Sequence, residues 1–172
     1  DFQYDANQLD RDVVAEDQIR TVMQTFRDKL FTEIFPGRDQ VPKTLIFAKD
    51  DNHAEEIVNT VRDVFGKGND FAAKITYRAN DDPKSLLQKF RNSPDLRIAV
   101  TVDMIATGTD VKPIECVFFM RDVHSRTYFE QMKGRGCRPL KGVVDGLEAV
   151  EERIAAIAAS AKPDCLIVDL VG

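Results

Sequence analysis

Arg97-Ile98-Ala99-Val100-Thr101-Val102 runs straight into Asp103-Met104-Ile105-Ala106-Thr107-Gly108-Thr109-Asp110. The first six residues are largely apolar and β-branched, which reads as a buried strand. A loop leaves the end of that strand, and in open α/β sheets ligands bind outside such ends. Gly108 permits close backbone approach there, and Asp110 offers a carboxylate to hydroxyls or a metal. Taken alone, a Gly-x-Asp is read more simply as a plain turn.

Outward from this strand the chain alternates apolar runs with amphipathic stretches. Ile19, Val22, Met23, Phe26, Leu30 and Ile34 recur at helical spacing until Pro36-Gly37. Lys43 to Lys49 is a short apolar strand, and Asn52 with Glu55 forms a plausible capping box for a helix along Ala54, Ile57, Val58, Val61, Val64 and Phe65. Ala72 to Tyr77 gives another strand, Asp82-Pro83 opens a helix with Leu86, Leu87 and Phe90 inward, and Glu115 to Met120 gives a strand before Ser125, a further helix cap. Asp164 to Val171 reads as a final buried strand. Strands alternating with helices imply an α/β domain whose mainly parallel central sheet is flanked by helices on both faces.

A second stretch carries the chemistry. In Gln131-Met132-Lys133-Gly134-Arg135-Gly136-Cys137-Arg138 a glutamine and two arginines stand where the amphipathic segment of Tyr128, Phe129 and Met132 meets a glycine-rich break. Always-ionised, fork-shaped guanidinium groups suit a phosphate whose charge shifts outward during phosphoryl transfer. An ordinary basic helix end has the same composition, since cations offset the C-terminal dipole.

In this order the two stretches resemble motifs V and VI of the helicase-like ATPases. Gln131, Gly134, Arg135 and Arg138 fall on Q-x-x-G-R-x-x-R, and Asp103, Gly108 and Asp110 match motif V. The threonine that often precedes the first aspartate is Val102 here, with Thr101 one place earlier. Asp17-Gln18-Ile19-Arg20-Thr21, Phe26-Arg27-Asp28-Lys29-Leu30-Phe31, Lys43-Thr44-Leu45-Ile46-Phe47-Ala48-Lys49-Asp50-Asp51 and Phe129 to Arg138 look like the motor region of the restriction subunit of bacterial type I restriction-modification enzymes. That resemblance implies a second RecA-like domain over 15–172, with 1–14 as a linker or domain edge. It also implies ATP and Mg²⁺ held mainly by a first RecA-like domain of the same protein. Arg135, Arg138 and Gln131 take the catalytic roles, with Gly108, Asp110 and Gly134 at the nucleotide. Double-stranded DNA is the implied partner, alongside modification and specificity subunits. Lys49, Arg78 and Thr101 are the DNA-contact candidates.

Bulk properties bound these expectations. With 172 residues and 43% hydrophobic composition the chain suits one core. A net charge of −5 argues against a free-standing nucleic-acid binder, so DNA contact is expected through a local patch. No apolar run approaches the ~18 residues of a membrane span, which fits a soluble, cytoplasmic protein without a membrane partner. Cys116, Cys137 and Cys165 are odd in number and lack C-x-x-C spacing, as reduced thiols would be. His53 and His124 have no ligand-spaced neighbours, so no metal site is expected and both read as surface histidines.

No G-x-x-x-x-G-K followed by Ser or Thr occurs, and Gly66-Lys67-Gly68 does not supply one. Leu166-Ile167-Val168-Asp169 looks superficially like a Walker B element but reads as a final strand ending in a turn. The chain therefore reads as half of an ATPase site in a DNA translocase, inactive by itself and needing no cofactor when isolated. The competing readings are the C-terminal domain of a repair or RNA helicase, or a docking module using an acidic face and the Ala155–Ala161 segment.

Overall fold

Parallel strands cannot be joined by hairpins, so every link between them must cross a face of the sheet and cover it. The computed structural model describes residues 16–78, 82–103, 111 and 113–170. Its strands are β1 (Thr44–Phe47), β2 (Ala72–Lys74), β3 (Ile98–Thr101), β4 (Cys116–Phe119) and β5 (Leu166–Asp169). They lie in the order β2-β3-β1-β4-β5, and every pairing is parallel. The expected α/β architecture is what the chain adopts. Residues 1–14, read as a linker, and the nucleotide candidates Gly108 and Asp110 fall outside the described residues.

Helices α1 (Glu16–Lys29) and α2 (Asp51–Phe65) pack on one face, against Ile46, Ile98, Val100, Cys116 and Phe118. On the opposite face α3 (Pro83–Asn92) and α4 (Arg126–Gly136) pack on Phe47, Ala99, Val117 and Phe119. Alternate residues of β1, β3 and β4 thus feed two cores, which is why these strands read as continuous apolar runs. Each fully buried Ile, Leu or Phe contributes roughly 1.5–3 kcal/mol, so these central strands and their helices supply most of the hydrophobic stabilisation. Strand β5 is only half-buried because it ends the sheet, a correction to the fully buried strand expected there. Helix α5 (Val150–Ala158) buries no residue.

Local chemistry sets the element ends. Asp82 accepts from Ser85 N at 3.0 Å with Pro83 in the first turn, and Ser125 accepts from Tyr128 N at 3.3 Å. The start of α2 differs from expectation: Asp50, in an extended conformation, accepts from His53 N at 2.8 Å, so Asn52 is not the cap. That start turns His53 inward at 2% exposure, correcting its reading as a surface residue, and its Nδ1 accepts from Lys49 N at 3.1 Å. After α1 the chain continues as a π-helical turn, Leu30–Ile34, which keeps Leu30 in the core.

Two cations reach backbone carbonyls across the fold. Lys43, 5% exposed, donates to the carbonyls of Phe90, Ser93 and Leu96, tying the end of α3 to the start of β1. Arg62 of α2 donates through Nε (3.1 Å) and Nη2 (2.9 Å) to Ala72 O on the edge strand β2.

Candidate functional site

Helix α4 carries the glutamine and arginine motif. Gln131 and Arg135 are four residues apart and share a face, whereas Met132 and Gly136 are buried on another. Gly136 is there for close approach: a Cβ would lie 2.5 Å from Cys165 Sγ and 2.8 Å from Val117 Cγ2. Gly134 has no such reason, because a Cβ there would meet nothing within 4 Å. Glycine costs roughly 1 kcal/mol relative to alanine inside a helix, and no packing contact among the described residues requires it at 134. Arg138 lies just beyond the helix and is exposed. The end of α4 is held by Lys162, 4% exposed, whose Nζ donates to Gly136 O and Arg138 O, each at 2.7 Å.

The start of α4 meets the end of β3. The Tyr128 hydroxyl donates to the Asp103 carboxylate, joining the two motif stretches directly. Burial, and then this carboxylate, push the Tyr128 phenol up to about 12, so it remains a donor across the physiological range. Arg121, which follows β4, donates through Nη1 to Val102 O at 3.1 Å and lies 5.7 Å from the centre of the Tyr128 ring. Strand β1 sits between β3 and β4, so the Arg121 bond crosses the end of β1.

Lys49, Arg78 and Thr101 all follow or finish strands, at the C-terminal ends of β1, β2 and β3. Arg78 is exposed and Lys49 half-buried, but Thr101 is 1% exposed with its Oγ1 unpartnered among the described residues. Burial at that position leaves the Thr101 side chain no direct contact surface. Asp51, at the same sheet end, accepts from Thr76 Oγ1 at 2.6 Å and Lys74 Nζ at 3.0 Å. The Thr76 hydroxyl foremost, then Lys74, holds its carboxyl below the usual range. Lys74 also pairs with Glu55 at 2.7 Å. Arg78, Lys74, Arg62 and Lys89, with Glu55 and Asp70, line a cleft of about 400 Å³.

Because α4 starts beside Asp103 and ends beside Cys165, it carries the motif from the C-terminal end of the sheet toward its opposite end. Its 11 residues span about 16 Å. The structure therefore unites Gln131 with Arg135 and separates the Arg138 end from Lys49 and Arg78. No sequence pattern pointed to Lys162, to Arg121, or to the Tyr128–Asp103 bond. Each acts across a long separation in the chain, and a single lysine or tyrosine carries no local pattern. Among the described residues no three His, Cys, Asp or Glu side chains converge as a metal site. No helix among them is long and apolar enough to cross a membrane.

Comparison with known proteins gives a family match to the helicase conserved C-terminal domain over residues 18–139. The chain is similar to the type I restriction enzyme EcoKI endonuclease subunit of Escherichia coli K12, 36% identical over 56% of this chain and 9% of that protein. It is also similar to the type I restriction enzyme EcoAI endonuclease subunit of Escherichia coli, 31% identical over 78% of this chain and 17% of the relative. The chain thus spans 9% and 17% of these two relatives. Its fold is shared by a fragment assigned to an HsdR subunit of a type I restriction enzyme from Vibrio vulnificus YJ016. That likeness has a TM-score of 0.64 and 24% identity, covering 95% of this chain and 29% of the other.

Proposed function

The chain belongs to the helicase conserved C-terminal domain family, and on that premise we propose that it is the second RecA-like half of the ATP-driven DNA translocase in a type I restriction endonuclease subunit. On this reading 15–172 form the motor half, 1–14 lead into it, and a first RecA-like domain outside these residues completes the ATP site. Gln131, Gly134, Arg135 and Arg138 would hold the triphosphate from this side, and Gly108 and Asp110 are the further nucleotide candidates. ATP with Mg²⁺ supplies the phosphoryl group whose transfer drives movement.

Arg135 and Arg138 place fixed positive charge where the transferring group gathers charge in the transition state, a contribution worth ~10³–10⁵ in turnover. Gln131, one helical turn from Arg135, orients water or couples the site to closure. Lys49 and Arg78 meet duplex DNA phosphates at the other end of α4, which suits a motor that ignores sequence. Modification and specificity subunits are the further partners, in the cytoplasm. The observation that carries this reading is the Gln131–Arg135 face of α4, with an open Gly134 beside it and Arg138 just past the helix.

The test is Arg138→Ala in the intact protein. DNA-stimulated ATP turnover falls by ~10³, while the dissociation constant for ATP changes little. Unchanged turnover would remove Arg138 from the site and with it the reading.

A further inference from the structure

We propose that Lys162 is a positioning residue for the arginine pair, supplied by the part of the chain that lies beyond the family match at residue 139. This inference rests on the reading of Arg135 and Arg138 given above. The last carbonyls of a helix have no partner within it, and a cation there also complements the helix dipole. Lys162 meets both needs at one point. Its ammonium donates to Gly136 O and Arg138 O at 2.7 Å each, so the two carbonyls it grips flank Cys137 and bracket the break between the arginines.

Charge-assisted bonds of this kind, at 4% exposure, are stronger than bonds on a wet surface. They fix the backbone from which the Arg138 side chain departs and the helix end next to Arg135. An arginine side chain is long, and a displacement of about 1 Å at its origin is enough to cost on the order of 10²-fold in rate.

Lys162 is itself held. Pro163 follows it and confines its backbone to the extended region. Arg38 donates to Ala161 O at 3.4 Å, and the same guanidinium is paired with Glu115 at 2.5 Å. The loop between α5 and β5 therefore presents the ammonium from a fixed place. This gives the weakly patterned segment after the motif a task in the chemistry: it sets where the arginines stand without touching the nucleotide.

The experiment compares Lys162→Met, Lys162→Gln and Arg138→Ala in the intact protein. It measures kcat and KM for DNA-stimulated ATP hydrolysis per folded molecule, together with thermal unfolding. Lys162→Met lowers kcat at least tenfold with KM changed less than about twofold, and Lys162→Gln, which keeps a donor for one carbonyl, falls between it and the parent. Loss of folded protein with kcat per folded molecule unchanged overturns the inference. Should Lys162→Met not fold, the glutamine variant decides; should neither fold, the lysine serves folding and the inference is wrong. Arg138→Ala separates the two claims. If it retains turnover, the site itself was misread; if it loses turnover while the folded Lys162 variants keep theirs, only the positioning role fails.

Discussion

Helices α2 and α5 both carry apolar residues, yet α2 buries seven of its side chains and α5 buries none. Two means of holding a chain in place are visible side by side. Helix α2 packs against both α1 and the sheet, and its position follows from the area it removes from water. The segment around α5 is held instead by individual polar reaches: Lys162 to the end of α4, and Arg38 to Ala161 O. Burial spreads stability over many contacts and tolerates the loss of any one polar group. Tethers concentrate it, and a single substitution releases them.

Unfolding of single variants separates burial from tethering. Ile57→Ala, at a site with no exposure in α2, removes a core side chain and costs about 2–5 kcal/mol in a denaturant titration. A loss below 1 kcal/mol would show that α2 is not held by burial. Gly136→Ala comes next, because its added Cβ meets Cys165 Sγ and the Val117 side chain; overpacking of this kind costs about 1–3 kcal/mol. Measured again in a Cys165→Ala background, the penalty shrinks by about 0.5 kcal/mol or more, since the nearer of the two obstructions has gone. An unchanged penalty would mean that Val117 alone opposes the new methyl group. The smallest effect belongs to Ile154→Ala on α5, where the residue is 62% exposed: within about ±0.5 kcal/mol for this domain. A loss in the intact protein as large as that of Ile57→Ala would mean that another part of the protein covers α5.

Legibility in the sequence followed the same division. All five strands were visible as apolar runs, and the Asp82 and Ser125 caps were found, because these are local signals a few residues long. The capping of α2 was misplaced for a local reason too: Asp50, Asp51 and Asn52 are all competent caps, and only the extended backbone at Asp50 decides among them. His53 was misread because its burial follows from where that cap starts the helix. The motif residues Gln131, Arg135 and Arg138 were legible as a pattern, and the shared face of Gln131 and Arg135 came only with the helix. What surrounds it was not, since Lys162, Cys165 and Asp103 come to α4 from distant parts of the chain. Nothing in a lone lysine before a proline announces which carbonyls it will meet.

The Arg62 guanidinium on Ala72 O has one more consequence. That carbonyl belongs to the outermost strand and points away from β3, so it would otherwise invite a stray extended segment to pair with it. Edge strands left open in this way seed aggregation, and proteins blunt them with short strands and well-placed cations. Here the strand is three residues long and its outward acceptor is already taken by an arginine from the neighbouring helix. An added strand on that side would find this acceptor already occupied, which works against growth of the sheet at its β2 edge.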